Sequence, residues 1–485
     1  MLALLKERED EIKAFVPQPF WEIEALMVAG GEEFIAACSK GKFWKKEEAE
    51  SALASCKDSR EAVVMKVEKK RYRLKPPPPF DLTTLQREAY SHFKLSPKQT
   101  LDIAQKLYEQ ALISYPRTGS QKLPIAIGYK NIINSLWKQK AYAALCEELL
   151  KKEQLKPAEG EKTDPAHPAI FPTGTAPKGL EPREQKVYDM IVKRFLATFA
   201  EPALKESVAA SIRIGDEGFS ASGAVTIEEN WIAFYKPYAR HKEQALPELR
   251  EGQVLRVRRL GMLSKMTQPP ARYSQGGLLK KLEELNLGTK GTRALILQTL
   301  YDREYIRDST IVVTELGNAV VEALKKSCPE IVSIDLTRRF QEETEDILLG
   351  KRKKEEIIQG AKEELGRILA KFKESEKHIG TALLSGVRQA LQEERMNSII
   401  GKCICGGNLM VRTSRDNKRF IGCDAYPKCR QTFSLPQKGR LVMLEKKCLK
   451  CGLNIVQVRQ YRKRPYELCV RDGFVPFRKS AEGKA

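Results

Sequence analysis

The chain lacks any run of 18 or more apolar residues, so no segment is long and apolar enough to read as a membrane-spanning helix. Its N-terminus lacks the succession of basic, apolar and small residues that marks a secretory leader. Outside two cysteine-bearing segments near the C-terminus there is no internal repeat, and there is no sizeable low-complexity linker. These absences predict a soluble, cytoplasmic protein. At 485 residues the chain is too long for one hydrophobic core and should divide into several domains.

Positive charge is what the chain has in excess. The formal net charge is +22 and the sequence pI is near 9.4. Basic clusters recur along the chain instead of sitting in one tail, and an excess of Lys and Arg releases counterions from a polyphosphate. Nucleic acid is therefore the first partner to consider, against a basic but merely soluble protein. Of eleven cysteines, seven lie beyond residue 400 in short-spaced groups, which favours metal over disulfides in a cytosolic-looking sequence.

Hydrophobic periodicity divides the chain. Leu2, Leu5, Ile12 and Phe15 lie among charges, as in a surface helix, and residues 1–15 read as the end of a helical domain begun before Met1. From Trp21 the pattern turns to strands, with Val63, Met65 and Val67 alternating with Val64, Lys66 and Glu68, until Pro76–Pro79 forms a stiff spacer. Residues 76–205 read as helical, with Ser96 as an N-cap, Pro97 at the first helical position and an apolar stripe through Leu101, Ala104, Leu107, Tyr108, Ala111 and Leu112. Period two returns over 206–262. The economical arrangement is a β-rich arch domain, 16–75 and 206–262, interrupted by a helical insertion. A helical domain over 263–399, a zinc ribbon over 400–436 and a degenerate ribbon over 437–485 follow, so the fold class is multidomain α+β.

The apolar stripe runs on to Tyr115, where Pro116 is expected to stop the helix and display Tyr115 and Arg117. A phenolic oxygen can attack a phosphodiester and hold one DNA end as an ester, and an adjacent cation stabilises the phosphate charge. Thr118 and Ser120 are candidate hydrogen-bond donors to the strand. Taken alone, a tyrosine closing an apolar stripe is also an ordinary core residue.

The surrounding text narrows this. TLQREAY, KLYEQALISYPRTGSQKLP, DPAHPAIFPTG and PPARYSQGGLLKKLEELNLGTKGTRALILQTLYDREYI resemble, in the same order, motifs of the type IA DNA topoisomerases, most closely the archaeal topoisomerase I group, from residue 2 to about 435. The resemblance implies that Tyr115 attacks DNA to form a 5′-phosphotyrosine and that Arg117 binds the phosphate. It makes His167, in AHPAIFPT, an active-site histidine. The implied activity is cleavage and rejoining of one strand to relax negative supercoils, in a nucleoid-associated protein acting on single-stranded regions. Gly119 departs from the family, whose YxRTDS motif usually places aspartate there, and this bears on how Arg117 is positioned.

In NLGTKGTRALIL, Thr289, Lys290, Thr292 and Arg293 sit with two glycines ahead of an apolar helix, where backbone amides and cations make a phosphate site; a plain turn is the alternative. The match to the family's single-strand groove favours the former. Arg272 and Tyr273 extend it by charge and stacking, or are an ordinary surface pair. The run LGKRKKEE from Leu349 reads as a solvated helix start.

Cys403 and Cys405, with Cys423 after seventeen intervening residues and Cys429 after five more, suit tetrahedral zinc. RFIGCDAYPKC also resembles the ribbons at topoisomerase C-termini. Cys448, Cys451 and Cys469 repeat the layout without a fourth cysteine; water or Asp472 could complete them, or the metal has been lost. The other four cysteines, Cys38, Cys56, Cys146 and Cys328, read as inert.

A type IA enzyme also carries an N-terminal Toprim domain whose acidic residues hold magnesium, and no such text is found here. The expectation is that Tyr115 depends on a Toprim domain supplied by another chain, and that this polypeptide alone binds DNA without relaxing it. The alternatives are an inactive single-strand-binding remnant, or the topoisomerase part of a split reverse gyrase, against which the lack of a helicase motif argues.

Overall fold

Alternation of apolar and polar residues closes six strands into an antiparallel barrel. In β1 (Pro19–Ala29) the side chains of Ile23, Ala25, Met27 and Ala29 point inward, and in β2 (Glu32–Cys38) those of Phe34, Ala36 and Cys38 do. With β3 (Glu61–Leu74), β4 (Ala203–Ile214), β5 (Glu217–Glu228) and β6 (Val254–Met266) the order is β1-β2-β5-β4-β3-β6, closing on β1. Val64, Ile212, Phe219 and Leu255 complete the interior. Closure leaves no open sheet edge. These features come from a computed structural model that describes residues 1–475 other than 58, 241–242, 415, 460–463 and 472.

The chain forms two compact units, Met1–Val313 with Glu330–Ile368, and Thr314–Pro329 with Leu369–Ala485. Within the first, one element departs from the strand-only reading of 16–75. Residues Lys46–Lys57 form a helix, α2, after α1 (Leu2–Ala14). Ala49, Ala52, Leu53 and Cys56 recur at three- and four-residue spacing, and Glu47 and Glu48 favour the helix N-terminus. Its buried face covers the barrel core.

The helical insertion leaves the barrel on β3 and returns on β4, which pair as far as Leu74 and Ala203. It comprises α3 (Leu82–Phe93), α4 (Pro97–Glu109), α5 (Tyr129–Trp137), α6 (Ala143–Leu150) and α7 (Pro182–Ala197), around a core that includes Leu85, Leu107, Ile133, Tyr188 and Phe195. The short α8 (Trp231–Phe234) joins this core. As expected, Ser96 caps α4: its hydroxyl accepts from the Gln99 amide at 3.1 Å while the Gln99 side chain accepts from the Ser96 amide at 3.0 Å. Such a capping box contributes about 1 kcal/mol.

The end of α4 corrects the expectation that Pro116 stops the helix. The helix ends at Glu109, six residues earlier in the chain than Tyr115, and Ala111 takes φ 55°. The Ala111 amide then donates to the Tyr108 carbonyl at 2.8 Å and the Leu112 amide to the Leu107 carbonyl at 2.9 Å. A left-handed residue closes the helix, and Tyr115 belongs to the extended segment beyond it.

α9 (Gln275–Glu284) and α10 (Arg293–Asp302), with the β7 (Ile306–Arg307) and β8 (Val312–Val313) hairpin, pack on α1 through Leu5, Leu278, Leu282, Leu297 and Ile306. α9 also lies against α3, and α10 against α4, which brings the loop between them to the insertion. Beyond α11 (Glu315–Ser327) and α12 (Ile334–Leu348), the run Lys351, Arg352, Lys353 is exposed ahead of α13 (Lys354–Ser398), as read from sequence. The second unit holds two four-stranded sheets. One is β12-β11-β10-β9, from β9 (Ile399–Lys402), β10 (Asn408–Thr413), β11 (Arg419–Cys423) and β12 (Thr432–Ser434). The other is β13-β14-β15-β16, from β13 (Arg440–Lys447), β14 (Asn454–Arg459), β15 (Tyr466–Cys469) and β16 (Gly473–Val475). Among the described residues no helix is long and apolar enough to cross a membrane.

The exposed, left-handed Ala111 gives a direct stability test. Ala111→Gly removes the Cβ clash and should stabilise the chain by about 0.5–1 kcal/mol, read as a raised urea midpoint. An unchanged or lowered midpoint would show that this terminus is not strained.

Candidate active site

Two extended segments set the site. After Ala111 the chain lies beside residues 167–173: the Ser114 amide donates to the Phe171 carbonyl at 2.9 Å, the Thr173 amide to Leu112 at 3.0 Å and the Ala169 amide to Lys122 at 2.9 Å. Leu112 and Ile113 enter the core. Beyond them the chain alternates, with Pro116, Thr118 and Ser120 buried while Tyr115 is half-buried and Arg117 exposed. The pairing brings the DPAHPAIFPTG segment to the tyrosine. The Tyr115 and His167 rings lie 4.5 Å apart at 46°, and Tyr108 meets Tyr115 edge-on at 5.5 Å.

Thr118 and Ser120 are not presented to a strand. Thr118 donates to the His167 carbonyl at 3.3 Å and accepts from the Ser120 amide at 3.0 Å, while the Ser120 hydroxyl accepts from the Lys122 amide at 3.1 Å. Their hydroxyls hold the turn in shape. That corrects the expectation that they contact DNA directly.

One carboxylate, which the motif reading passed over, joins three segments here. Asp164 accepts from the Gly119 amide at 3.3 Å, from the Ala166 amide at 3.1 Å and from the His167 amide at 3.3 Å, and it pairs with Lys290. Partial burial raises the Asp164 carboxyl, but the Lys290 ammonium and the Ala166 and Gly119 amides outweigh it and hold it down at about 2. Gly119 is explained by the same contact. A Cβ built there would stand 2.5 Å from Lys290 Cε and 2.8 Å from its Nζ, so Lys290 occupies the volume that an aspartate side chain would need. The acid is supplied from position 164 instead. Its spacing of three from His167, with Pro165 between, was the available signal.

The remaining predicted residues are placed as follows. Arg117 lies against the backbone of Gly291, where an added Cβ would come within 3.8 Å of its Nη1. Thr289 and Thr292 are exposed and bond to each other at 2.9 Å, and the Thr292 hydroxyl accepts from the Thr289 amide at 3.0 Å. Arg293 is buried and donates to the Leu287 carbonyl at 2.9 Å. Arg272 forks onto buried Glu9 at 2.8 and 2.9 Å. Tyr273 accepts from Arg8 at 3.0 Å, beneath its guanidinium. A second strut parallels Asp164–Lys290: Lys162 bridges Asp81, which caps α3, at 3.1 Å and Glu283 of α9 at 2.9 Å.

Metal ligands sort by charge type. Cys403, Cys405, Cys423 and Cys429 bring their sulfurs within 4.8 Å of one another, with pairs at 3.7 and 3.4 Å. Zinc–sulfur bonds of about 2.3 Å in a tetrahedron require sulfur separations of about 3.8 Å, so the four thiolates fit zinc. Magnesium does not fit here: among the described residues, the two groups of three or more possible ligands contain cysteine alone. The scattered cysteines are buried, and burial pushes Cys146 up to about 12 and raises Cys56 as well, which keeps both as unreactive thiols.

Comparison with known proteins agrees with this geometry. Residues 1–359 match the DNA topoisomerase family model, and 401–438 match that of the topoisomerase DNA-binding C4 zinc finger. The chain is 46% identical to DNA topoisomerase 1 of Pyrococcus horikoshii over 97% of this chain and 68% of the relative. It is 43% identical to DNA topoisomerase 1 of Methanocaldococcus jannaschii over 94% of this chain and 59% of the relative. Full-length topoisomerase I from Thermotoga maritima shares the fold at a TM-score of 0.60 and 23% identity, covering 92% of this chain and 71% of that one. The chain belongs to the DNA topoisomerase family, in its type IA branch. It spans about two thirds or less of the length of these archaeal relatives.

Asp164→Asn keeps the shape and removes the charge that joins the three segments. It should destabilise the chain by about 1–3 kcal/mol at pH 7. Because the folded carboxyl titrates at about 2, below its ordinary 3.8, the difference from the parent should persist down to pH 4, then shrink and vanish below about 2. Urea midpoints measured across this range check it.

Proposed function

We propose that this chain is the nucleophile-bearing portion of a type IA DNA topoisomerase. Tyr115 Oη attacks a phosphodiester of a single-stranded stretch in negatively supercoiled duplex; the phosphorus–O3′ bond breaks as the 5′-phosphotyrosine forms, the phenol gives up its proton to solvent, and the departing O3′ takes one up to become a 3′ hydroxyl. The freed 3′ hydroxyl returns by the reverse step, so strand breakage and rejoining balance. The observation that carries this reading is the Tyr115–His167 ring contact beside an exposed Arg117, held by paired backbone at the meeting of three segments. His167 orients the tyrosine and Arg117 neutralises the phosphate.

Lys290, Thr289 and Thr292, at the loop that Arg117 touches, are the nearest groups to guide the strand. Arg272, Tyr273 and Arg293 support that loop and the α1 face, reaching DNA only by exchanging their present partners. The zinc ribbon adds strand affinity. The acid and magnesium that a type IA enzyme uses to handle the 3′ oxygen are assigned to a Toprim domain outside these 485 residues, in another chain or in a longer polypeptide. In keeping with that, we place the action at the nucleoid in the cytoplasm.

The test mixes the purified chain with a Toprim-bearing polypeptide, magnesium and negatively supercoiled plasmid. The parent mixture should relax the plasmid and trap a 5′-linked DNA adduct. Tyr115→Phe should lower both by about a thousandfold or more, and His167→Ala by about a hundredfold. Equal relaxation by Tyr115→Phe would sink the assignment. Salt-sensitive binding with no adduct under any complementation would instead support the single-strand-binding reading.

A further inference from the structure

The barrel carries a cationic cavity that the tyrosine site does not use. It measures about 410 Å³, and four arginines, Arg60, Arg256, Arg258 and Arg259, line it around an apolar floor of Leu53, Val257 and Leu260. Three of the four fall within four positions of β6, and a β-bulge gathers them. Leu26 pairs with Arg259 and Met27 with Val257, so Arg258 is an extra residue in the ladder. Strict alternation would turn every second side chain inward. Here Leu255 and Val257 pack on the barrel core, as do Leu260 and Met262, and the spacing of three between Val257 and Leu260 leaves Arg258 and Arg259 both outside it. Arg256, Arg258 and Arg259 are all exposed. The fourth arginine comes from the turn between α2 and β3. Its carbonyl accepts from the Val257 amide at 2.9 Å, which ties Arg60 to the bulge.

Charge at this cavity is not balanced. Glu33 pairs with Arg258, and Glu61 stands opposite Arg256 in the ladder. Among the described residues Arg60, Arg256 and Arg259 have no ion-pair partner, and no carboxylate lines the cavity. Lys290, Arg272 and Arg293, by contrast, are all engaged. Guanidinium forks match phosphate oxygens two at a time and also stack on aromatic faces. From Arg256 to Arg259 is three residues of strand, about 10 Å, which about three nucleotides of a stacked strand cover at about 3.4 Å each. The apolar floor suits an unpaired base or a sugar, and a duplex keeps its bases stacked inside. Cations beside an apolar platform therefore favour a single strand.

We propose that this cavity is a second binding site for a single strand of nucleic acid, carried by the barrel and separate from the tyrosine site. Phosphates lie on Arg60, Arg256 and Arg259, and an unpaired base or sugar rests on Leu53, Val257 and Leu260. The barrel core and the core of the helical insertion are separate clusters linked through β3 and β4, so the two sites stand on different cores. Arg258, held by Glu33, keeps the bulge in shape and adds charge. The inference rests on the nucleic-acid part of the proposed function alone. It holds whether or not Tyr115 is a nucleophile.

The test irradiates the full-length chain with a short oligothymidylate carrying 4-thiothymidine and maps the adducts by peptide mass spectrometry. Adducts should fall within residues 53–60 or 254–262 as well as elsewhere. The triple variant Arg60→Gln, Arg256→Gln, Arg259→Gln should lose about tenfold or more of the adduct at these residues. It should keep the adducts elsewhere, which shows that it folds. A control, Lys69→Gln, Lys138→Gln, Lys140→Gln, removes the same charge from exposed positions that do not line the cavity, and should keep the barrel adduct. Unlabelled single strand should suppress that adduct, whereas duplex or tripolyphosphate should need about tenfold more phosphate to do so. Equal loss in the control would reduce the effect to overall charge and overturn the site, as would an undiminished adduct in the triple variant. Equal suppression by duplex or tripolyphosphate would overturn the single-strand assignment. Adducts elsewhere with none at these residues would overturn this site alone, and no adduct anywhere would overturn it together with the nucleic-acid reading of the chain.

Discussion

The Asp164 carboxylate is the constraint on which the geometry of the candidate site depends. A largely buried charge is tolerated only when its lone pairs are met, and here the partners come from three separate stretches: Gly119 of the tyrosine turn, Ala166 and His167 of its own extended segment, and Lys290 of the loop ahead of α10. Meeting them fixes the three stretches relative to one another. Tyr115, His167 and Arg117 inherit their separations from that arrangement, because each lies within four residues of one of the bonded amides. Loose side chains on a surface turn would not hold a 4.5 Å ring contact by themselves.

The same economy governs the basic groups near the turn. A high net positive charge draws a polyanion to the molecule, yet three of the cations read from sequence as strand contacts are engaged already: Lys290 with Asp164, Arg272 with Glu9, Arg293 with a backbone carbonyl. A phosphate arriving here must out-compete a partner, whereas it meets Arg117 exposed. Under the proposed function, global charge sets the rate and salt dependence of approach, and Arg117 sets where the phosphate stops. The partnered cations act first as framework.

Much of this was legible in the sequence for identifiable reasons. The strands of the barrel show as period two, the Ser96 and Pro97 start of α4 as cap chemistry, and the C4 group as ligand spacing; Tyr115 and His167 emerged from motif order. What was not legible turned on single backbone states or on distant partners. Ala111 in a left-handed conformation ended α4 before Pro116 had a chance to, and nothing about an alanine announces that. The alternation that buries Thr118 and Ser120 arises from pairing with residues 167–173, a contact made across more than forty positions of chain. Gly119 looked like a defect because the acid that answers for it stands at position 164 and the lysine that fills its space at 290.

This division bears on how the proposed ester exchange at Tyr115 can be reversible. Cleavage and rejoining run through one oxygen, so the phenol must return to the same place after a strand has moved away and come back. Rigid placement of the nucleophile is therefore needed through the whole cycle, while the acid and metal that attend the 3′ oxygen are needed only when the strand ends meet. The first requirement is met within this chain, by paired backbone, a shared carboxylate and a helix closed short of the turn. The second places no demand on the same frame. The proposed division of the catalytic centre between a fixed tyrosine half and a separately mounted acidic half is compatible with a reaction in which the DNA ends must part.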